Sequence, residues 1–514
     1  MGWGEDMSSV KEPTEKPSFF LRLRRFFDPI DLTKGNIVKV LIMFTIPIVL
    51  SYLLQQIYTL SDAAICGRTL SAQEVAGVND TFPLTFIFLQ FAFGCTSGFT
   101  VVTSNKLGEN DKEGVRRSFA SQIILCSLLT VVITVLSVVS LRPMLGWIHV
   151  TPDNPEVYEA AYTYCFIIFL GIFAQLFYNS ICCILRSVGD SLTPLVFLLM
   201  STILNIGLDF LFIMAFGWGV AGAAIATVFA QFVSTVGCFV YTFVRYKDMR
   251  LSRKDFKVSA EELAQHLKLG IPLGLQFSVL AVGIVFMMGG IVKFDIMPNG
   301  IMVEGAPAQN GFGAATKLNN FLMSPLTALG TAVVSFNAQN LGAGDRVRVK
   351  KGTNLSLLLM LAVYVIFAGI GLLMTIDGAY QYLFLSPDKI SSESIAYGNL
   401  FLYADLPLFF IVGTLIVLRG AMQGIGKSVY TLIAGTAELV ARIVISVTLP
   451  ALVNGAPIDA LASKASYFAL CYADPGAWTL AALTLVIPYI YYILHGNRAS
   501  ICSVLGRRRK KKHA

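Results

Sequence analysis

The feature that most constrains this chain is a series of twelve long apolar runs, each close to the length that crosses a lipid bilayer. About 20 helical residues span the hydrocarbon core, whereas membrane β-strands would appear as short segments of alternating polarity. With 55% apolar and 14% charged residues among 514, the chain is also too apolar for an ordinary soluble protein. The sequence therefore predicts an all-α polytopic membrane protein. The runs lie near residues 38–65, 79–104, 118–141, 159–185, 191–215, 219–244, 267–293, 311–342, 353–376, 395–418, 428–450 and 475–495.

Basic residues are distributed unevenly between the loops, and this asymmetry predicts the orientation of the chain. The loops on one side of the predicted membrane, together with both ends of the chain, carry most of the lysines and arginines. Because basic loops tend to stay in the cytoplasm, we expect both termini there and a multi-pass location in the cytoplasmic membrane. The terminal RRRKKKH run is expected to contact anionic membrane lipid and no nucleic acid. SFFLRLRRFF at 18–27 is interpreted either as an amphipathic surface helix or as a disordered arm.

The two halves of the chain resemble each other, which indicates an internal duplication. Three pairs of segments correspond in the same order: FTIPIVL around Pro47 with LGIPLGL around Pro272, NKLGEND with QNLGAGD, and ILRSVGD with AMQGIGK. Each half holds six runs, so both halves enter the membrane in the same direction. This arrangement predicts a transporter with two pseudo-symmetric six-helix lobes and a binding cavity between or within them.

The duplication also predicts where the parts of the chain begin and end. A cytoplasmic segment links the two lobes, and a basic segment flanks each of them. The predicted parts are a cytoplasmic N-terminal arm at 1–36, an N-lobe at 37–245, a cytoplasmic linker at 246–266, a C-lobe at 267–497 and a cytoplasmic tail at 498–514.

Four polar side chains in the predicted N-lobe spans fall at similar depths: Asp62, Asn205, Asp209 and Thr227. Asn205 and Asp209 share a helix face through their spacing of four residues. A charge at a helix centre costs roughly 2.5 to 3.5 kcal/mol on insertion scales, so it needs a partner, a cavity or a function. Together the oxygens would suit a hard cation such as Na⁺, or burial and mutual repulsion would keep a proton on one carboxylate. Alternatively, Asp209 only bonds a neighbouring helix.

The C-lobe holds a different set of polar groups. Glu438 and Arg442 are four residues apart on one helix face, so they are either a structural ion pair or a substrate-facing one. Asp405 lies within the tenth run without an evident partner and is expected to face the central cavity or a wet vestibule. The nine cysteines include no CxxC pair, and the four histidines lie at segment ends or in tails. We therefore expect no cofactor, and no ion other than the coupling one.

Three stretches carry a resemblance to the multidrug and toxic compound extrusion (MATE) family. They are IPIVLSYLLQQIYTLSDAAICGR at 46–68, ILRSVGDSLTPL at 184–195 and NIGLDFLFIMAFGWGVAGAAIAT at 205–227, and the resemblance covers about residues 36–495. It implies twelve transmembrane helices in two lobes around a V-shaped central cleft. It also implies a secondary active antiporter that exports cationic or drug-like organic compounds in exchange for H⁺ or Na⁺. We expect the protein to be a monomer.

The resemblance assigns roles to particular residues. It implies an ion- or proton-coupling site at Asp62, Asn205, Asp209 and Thr227, and this is where Na⁺ would bind. It matches Pro47 to a proline that bends the first helix, and the repeat gives Pro272 as the counterpart. Tyr58, one turn before Asp62, is expected to hydrogen-bond near that site.

The chain also departs from the family pattern. Cys182 stands where some relatives use an asparagine, and the nearest asparagine is Asn179. The seventh span has no acidic residue, and its main polar side chain is Gln276. Insertions near 295–310 and 451–475 lengthen two outer loops. These departures favour coupling through the N-lobe.

Two other functions fit the sequence less well than export. A flippase for lipid-linked precursors would need a cleft rich in basic side chains, whereas Arg442 is the one basic residue predicted inside a span. A membrane enzyme would need a catalytic motif, and no HExxH, GxSxG or paired catalytic aspartate motif occurs in the spans. Export of small organic compounds is therefore the preferred prediction.

Overall fold

Long helices connected by short loops form the molecule, as seen in a computed structural model that describes residues 28–148, 150–385 and 390–495. The N-lobe contains α1 (Ile37–Thr69), α2 (Ala72–Asp80), α3 (Phe82–Gly108), α4 (Lys112–Trp147), α5 (Pro155–Leu170), α6 (Ile172–Ser187), α7 (Leu192–Asp209) and α8 (Gly219–Arg245). The C-lobe contains α9 (Ala260–Val292), α10 (Pro307–Gly342), α11 (Arg346–Met374), α12 (Gln381–Phe384), α13 (Ser392–Asp405), α14 (Phe409–Gly424), α15 (Ser428–Asn454), α16 (Lys464–Cys471) and α17 (Ala473–Tyr489).

Six candidate spans in each lobe confirm the predicted fold class. In the described residues, eleven helices or joined helix pairs are long and apolar enough to cross a membrane, and α5 with α6, bent by 46°, supplies the twelfth span. The joined pairs are α2 with α3, α13 with α14, and α16 with α17. The segment 18–27 and the tail 498–514, for which a surface helix and lipid contacts are predicted, lie outside the described residues.

The duplicated segments adopt matching local structure in the two lobes. Asp111 accepts a hydrogen bond of 2.8 Å from the backbone N–H of Gly114 and so caps α4. Its counterpart Asp345 accepts one of 2.8 Å from the N–H of Arg348 and caps α11. An aspartate at this position satisfies an N–H group that would otherwise lack a partner, so both repeats begin a helix in the same way. Pro47 and Pro272 also lie inside equivalent helices, α1 and α9.

Helices α3 and α9 hold the two lobes together through glycines. A Cβ at Gly94 would lie 2.5 Å from the carbonyl oxygen of Leu273, and one at Gly98 would lie 2.5 Å from the Cα of Gly270. Gly94 and Gly98 are four residues apart, as are Gly270 and Gly274 on the other helix. Such paired small residues let the backbones of membrane helices touch. The lobes are therefore packed backbone to backbone along this line.

The lobes also meet at the end of the molecule where the described chain begins, called here the basic end (residues 28–36, 105–111, 186–191 and 339–345). The N–H of Ile30 donates to the carbonyl of Gly189 in the N-lobe at 3.0 Å. Arg348 of the C-lobe donates to the carbonyls of Lys34 and Gly35 at 2.7 and 2.8 Å. Residues 28–36 thus bridge both lobes, and the space between the lobes is closed at this end.

Two predicted boundaries are corrected by the helix ends. The linker predicted at 246–266 includes the start of α9, because Ser259 and Glu262 form a capping box that starts the helix at Ala260, before the apolar run. The insertion at 451–475 is not all loop, since α16 occupies Lys464–Cys471. The two insertions also touch: the N–H of Ala460 donates to the carbonyl of Ile296 at 2.8 Å. The two insertions therefore contact each other at the end of the molecule opposite the basic end.

Candidate functional site

The four polar residues predicted to meet in the N-lobe are placed together by α1, α7 and α8. The side-chain nitrogen of Asn205 lies 3.5 Å from Asp209 Oδ1 and 3.5 Å from Thr227 Oγ1, so the amide can donate to both. Asn205 and Asp209 are fully buried. Asp62 of α1 is partly buried and lies close enough to Asp209 for the two carboxyl groups to interact electrostatically. The structure therefore forms the predicted cluster from three helices.

This N-lobe cluster contains more acceptor oxygens than donors. Asp62 Oδ1, Asn205 Oδ1 and Asp209 Oδ2 are all buried, and none has a hydrogen-bond partner among the described residues. Buried polar atoms nearly always have a partner, and removing an acceptor oxygen from water without one is costly. Three such oxygens in one place are suited to a bound proton or a small cation. Carboxylate, amide and hydroxyl oxygens are the hard ligands that Na⁺ prefers.

The chain around Asp209 departs from regular α-helix. α7 ends at Asp209, and Phe210–Ala215 continue as a π-helical turn. π-helical turns are rare and are often found at functional sites. The return to α8 is tight because Gly217 and Gly219 take positive φ angles of 67° and 54°, which a residue with a Cβ rarely adopts. The turn brings Thr227 back beside Asn205.

Other side chains of the N-lobe extend the cluster. Tyr58 lies close to Asp62, Asp209 and Thr227. Its hydroxyl is buried and has no hydrogen-bond partner among the described residues, so the hydrogen bond predicted for it is not formed. Tyr164 of α5, which was not predicted from the sequence, lies close to Asp62 and Tyr58. Tyr164 lies in an apolar run of ordinary aromatic composition, so only the packing of α5 against the cluster reveals it.

A second feature is a cavity of about 510 Å³ between the lobes, called here the inter-lobe cavity. Amide side chains from both lobes line it: Gln55, Gln56, Gln90, Gln175, Asn179, Gln276 and Gln423. Aromatic rings line it as well: Tyr52, Phe86, Phe93 and Phe277. The predicted candidates Asn179 and Gln276 therefore face this cavity, while the four members of the N-lobe cluster do not. A cavity of this size holds a drug-sized molecule.

The charged residues of the inter-lobe cavity differ from those predicted. Arg186 and Arg419 line it, and no aspartate or glutamate is among the lining residues that the structure describes. The predicted apolar runs stop at residues 185 and 418, which would leave both arginines in loops and Arg442 as the one basic residue inside the spans; this prediction was wrong. Arg186 and Arg419 lie near the ends of α6 and α14, within the helices. The lining also offers no carboxylate to balance the cationic substrate that was predicted.

The predicted pair Glu438 and Arg442 is part of a larger buried network in the C-lobe. Arg442 donates to Glu438 Oε1 at 3.1 Å and to Asp474 Oδ1 at 2.7 Å. Arg419 bonds the other oxygen of Glu438. Charges of opposite sign alternate along this chain of four residues, so each buried carboxylate has a basic partner. The network runs from the inter-lobe cavity at Arg419 to Asp474 at the start of α17.

Asp405 was predicted to face the central cavity or a wet vestibule, and this was wrong. It is fully buried at the end of α13. Its Oδ2 accepts a hydrogen bond of 3.2 Å from the amide of Asn319. Its Oδ1 is buried and has no partner among the described residues. Asp405 also interacts electrostatically with Asp474 and Arg442, so it lies beside the C-lobe network.

Comparison with known proteins gives consistent matches. The MatE family model matches residues 47–211 and 301–448. The probable multidrug resistance protein YpnP of Bacillus subtilis (strain 168) is 32% identical over 62% of this chain and 68% of its own length. A protein of Shewanella oneidensis named FAD transporter is 22% identical over 63% of this chain and 70% of its own length.

Solved structures share the fold. A structure described as MATE in complex with MaL6 has a TM-score of 0.78 at 19% identity and covers 92% of this chain and 99% of its own. A MOP superfamily transporter from Pyrococcus furiosus, described as having a binding pocket of reverse polarity, has a TM-score of 0.78 at 20% identity. It covers 91% of this chain and 98% of its own.

Proposed function

The chain belongs to the MATE family of membrane transporters, which makes it a transporter of small compounds and not an enzyme, and we propose that it works as an antiporter. It exports organic compounds across the cytoplasmic membrane in exchange for Na⁺ or H⁺, by alternating access. Relatives named for multidrug resistance and for FAD support small organic substrates. The protein acts as a monomer surrounded by lipid, with both termini in the cytoplasm and with the division into two lobes predicted above.

The observation that carries this proposal is the set of three buried oxygens without donors on Asp62, Asn205 and Asp209. These atoms lie apart from the inter-lobe cavity, so an ion and an organic compound can occupy different sites. An antiporter requires that the ion and the compound favour different states of the same molecule. Two separate sites joined by one moving element satisfy this requirement.

Helix α1 is that element. It carries Asp62 in the N-lobe cluster, and one to three turns earlier it carries Gln55, Gln56 and Tyr52, which line the inter-lobe cavity. Pro47 lies earlier still, where the missing N–H weakens the helix and allows it to bend. A proton or Na⁺ bound at Asp62 and Asp209 removes the repulsion between the two carboxyl groups. The position of α1 then changes, and with it the shape of the cavity.

Gradient-driven transport in proteoliposomes tests the proposal. Efflux of ethidium, norfloxacin and flavin mononucleotide is measured with a Na⁺ gradient alone, a pH gradient alone and neither. We expect one gradient to accelerate efflux in the wild type and in Glu304→Gln, which removes an exposed carboxylate. Asp209→Asn should elute as a folded protein yet respond to neither gradient. An Asp209→Asn protein that responds like the wild type would overturn the proposal.

A further inference from the structure

The inter-lobe cavity carries an excess of positive charge, and this excess points to a class of substrate. Resting on the transport function proposed above, we propose that the cavity binds organic anions. The guanidinium groups of Arg186 and Arg419 hold a carboxylate or phosphate group of the compound. The aromatic and amide side chains of the lining contact the rest of it. A planar guanidinium offers paired donors that match both of these anionic groups.

Arg186 has no counter-charge of its own. No carboxylate of the described residues forms an ion pair with it, and its Nε is buried without a hydrogen-bond partner. The nearest acid in sequence, Asp190, is already occupied: it accepts from Thr193 Oγ1 at 2.6 Å and from the Tyr246 hydroxyl at 2.7 Å. A partly buried guanidinium without a carboxylate is costly in a membrane protein. A bound anion would supply the missing charge.

Arg419 is paired with a carboxylate but keeps an N–H group without a partner in the described part of the chain. Its single carboxylate partner, Glu438, is shared with Arg442. The Nε of Arg419 is buried and has no partner among the described residues. Arg442 cannot contribute to the cavity because its donors are directed to Glu438 and Asp474. Arg419 thus lines the cavity and keeps a buried N–H group without a partner in the described structure, while the network behind it holds the side chain in place.

The aromatic side chains of the cavity could in principle favour a cation instead. Rings such as Phe86, Phe93 and Phe277 attract a positive charge placed over their faces. In this cavity, however, a cation would be repelled by the unpaired Arg186, because only Arg419 is paired with a carboxylate, and it would find no carboxylate in the described lining. An aromatic anion uses both features, because its ring can stack on the phenylalanines while its acidic group reaches the arginines.

A pair of dyes with the same xanthene ring and opposite charge tests the proposal. Binding of carboxyfluorescein and of rhodamine 6G to the purified full-length protein is measured by fluorescence anisotropy. We expect carboxyfluorescein to bind more tightly, and Arg186→Gln and Arg419→Gln each to weaken its binding by about tenfold or more. Arg186→Lys should recover part of the affinity. Arg253→Gln, which removes an exposed charge of the linker, should change nothing.

The outcomes separate this inference from the proposed function. Tighter binding of rhodamine 6G, or carboxyfluorescein binding that is the same in Arg186→Gln as in the wild type, would overturn the anion site, even if a gradient still drives rhodamine export. Arginine-dependent binding of carboxyfluorescein, combined with efflux that ignores every gradient, would support the site and reject antiport. If Arg419→Gln does not fold, Arg186→Gln and Arg186→Lys suffice.

The anionic group could belong to a soluble compound or to a lipid. A further arm therefore measures transbilayer movement of fluorescent phosphatidic acid, with fluorescent phosphatidylcholine as the control. Movement of phosphatidic acid that is lost in Arg186→Gln would identify a lipid phosphate as the cargo. Efflux of carboxyfluorescein or flavin mononucleotide with the same dependence on Arg186 would identify a soluble anion. Both results support an anion site at these arginines.

Discussion

Gly108 and Gly342, which occupy equivalent positions in the two repeats, face each other's helix across the lobe boundary at the basic end. A Cβ at Gly108 would lie 2.0 Å from the carbonyl oxygen of Gln339, and a Cβ at Gly342 would lie 2.1 Å from that of Asn105. Backbone atoms cannot move out of the way as a flexible side chain can. This reciprocal contact therefore exists only while both positions lack a side chain, and it closes the inter-lobe cavity at the basic end.

Substitution of Gly342 should open that end. We expect Gly342→Val to separate α3 from α10 and to favour the state in which the cavity is accessible from the basic end. The measurement is labelling of Cys183, a cavity-lining thiol, by a membrane-impermeant thiosulfonate from either side of the membrane, with the other cysteines replaced. Gly369→Val, where a Cβ would meet nothing within 4 Å, is the matched control. Identical labelling in both variants would contradict the prediction.

Thr227 should matter for Na⁺ more than for protons. Its hydroxyl lies beside the amide of Asn205 and supplies a neutral oxygen, which a bound cation uses but a carboxyl proton does not require. We expect Thr227→Val, which keeps the shape of the side chain, to weaken binding of radioactive Na⁺ by the purified protein about tenfold or more. Thr59→Val, which removes an exposed hydroxyl that bonds only its own helix, should have no effect. Equal Na⁺ binding in the two variants would exclude Thr227 as a ligand.

The N-lobe cluster could be predicted from sequence because its members are related by short-range geometry. Asn205 and Asp209 are one helical turn apart, and a tight glycine turn brings Thr227 back beside them. The salt bridge between Glu438 and Arg442 was predicted from the same spacing of four residues. Helical periodicity and loop length therefore identify neighbours within one helix or one hairpin.

The contacts that the sequence did not predict join residues far apart in the chain. Asp474 pairs with Arg442 across two helices, and Asn319 reaches Asp405 over 86 residues. Arg186 and Arg419 were missed for another reason: they lie close to the ends of their helices, just beyond the apolar runs that marked the spans. Only the packing of the lobes shows that these helix ends line a cavity.

The C-lobe network should stabilise the protein through its pairs, so that removing one charge costs more than removing two partners together. Arg442→Met leaves Asp474 buried without its basic partner, and breaking a buried ion pair typically costs about 3 to 5 kcal/mol. We expect a large fall in the thermal unfolding temperature of the purified protein. The double variant Arg442→Met with Asp474→Leu should recover most of that loss, because Glu438 keeps Arg419 as its partner. A single variant as stable as the wild type, or a double variant no better than the single one, would contradict this account.

The glycine contact between α3 and α9 should be the most sensitive point of lobe packing. Gly98→Leu would place a side chain where the Cα of Gly270 lies 2.5 Å from a Cβ and the carbonyl oxygen of Leu269 lies 2.6 Å from it. Overpacking typically costs about 1 to 3 kcal/mol, and here the obstacle is backbone on a helix that also carries Pro272 and the cavity residue Gln276. We therefore expect Gly98→Leu to lower the unfolding temperature and to weaken binding of whichever dye the wild type binds.

The matched control is Gly146→Leu in α4, where nothing lies within 4 Å of the Cβ position. This variant should leave both the unfolding temperature and dye binding unchanged. If the two leucine variants behave alike, the packing of the lobes does not depend on this contact.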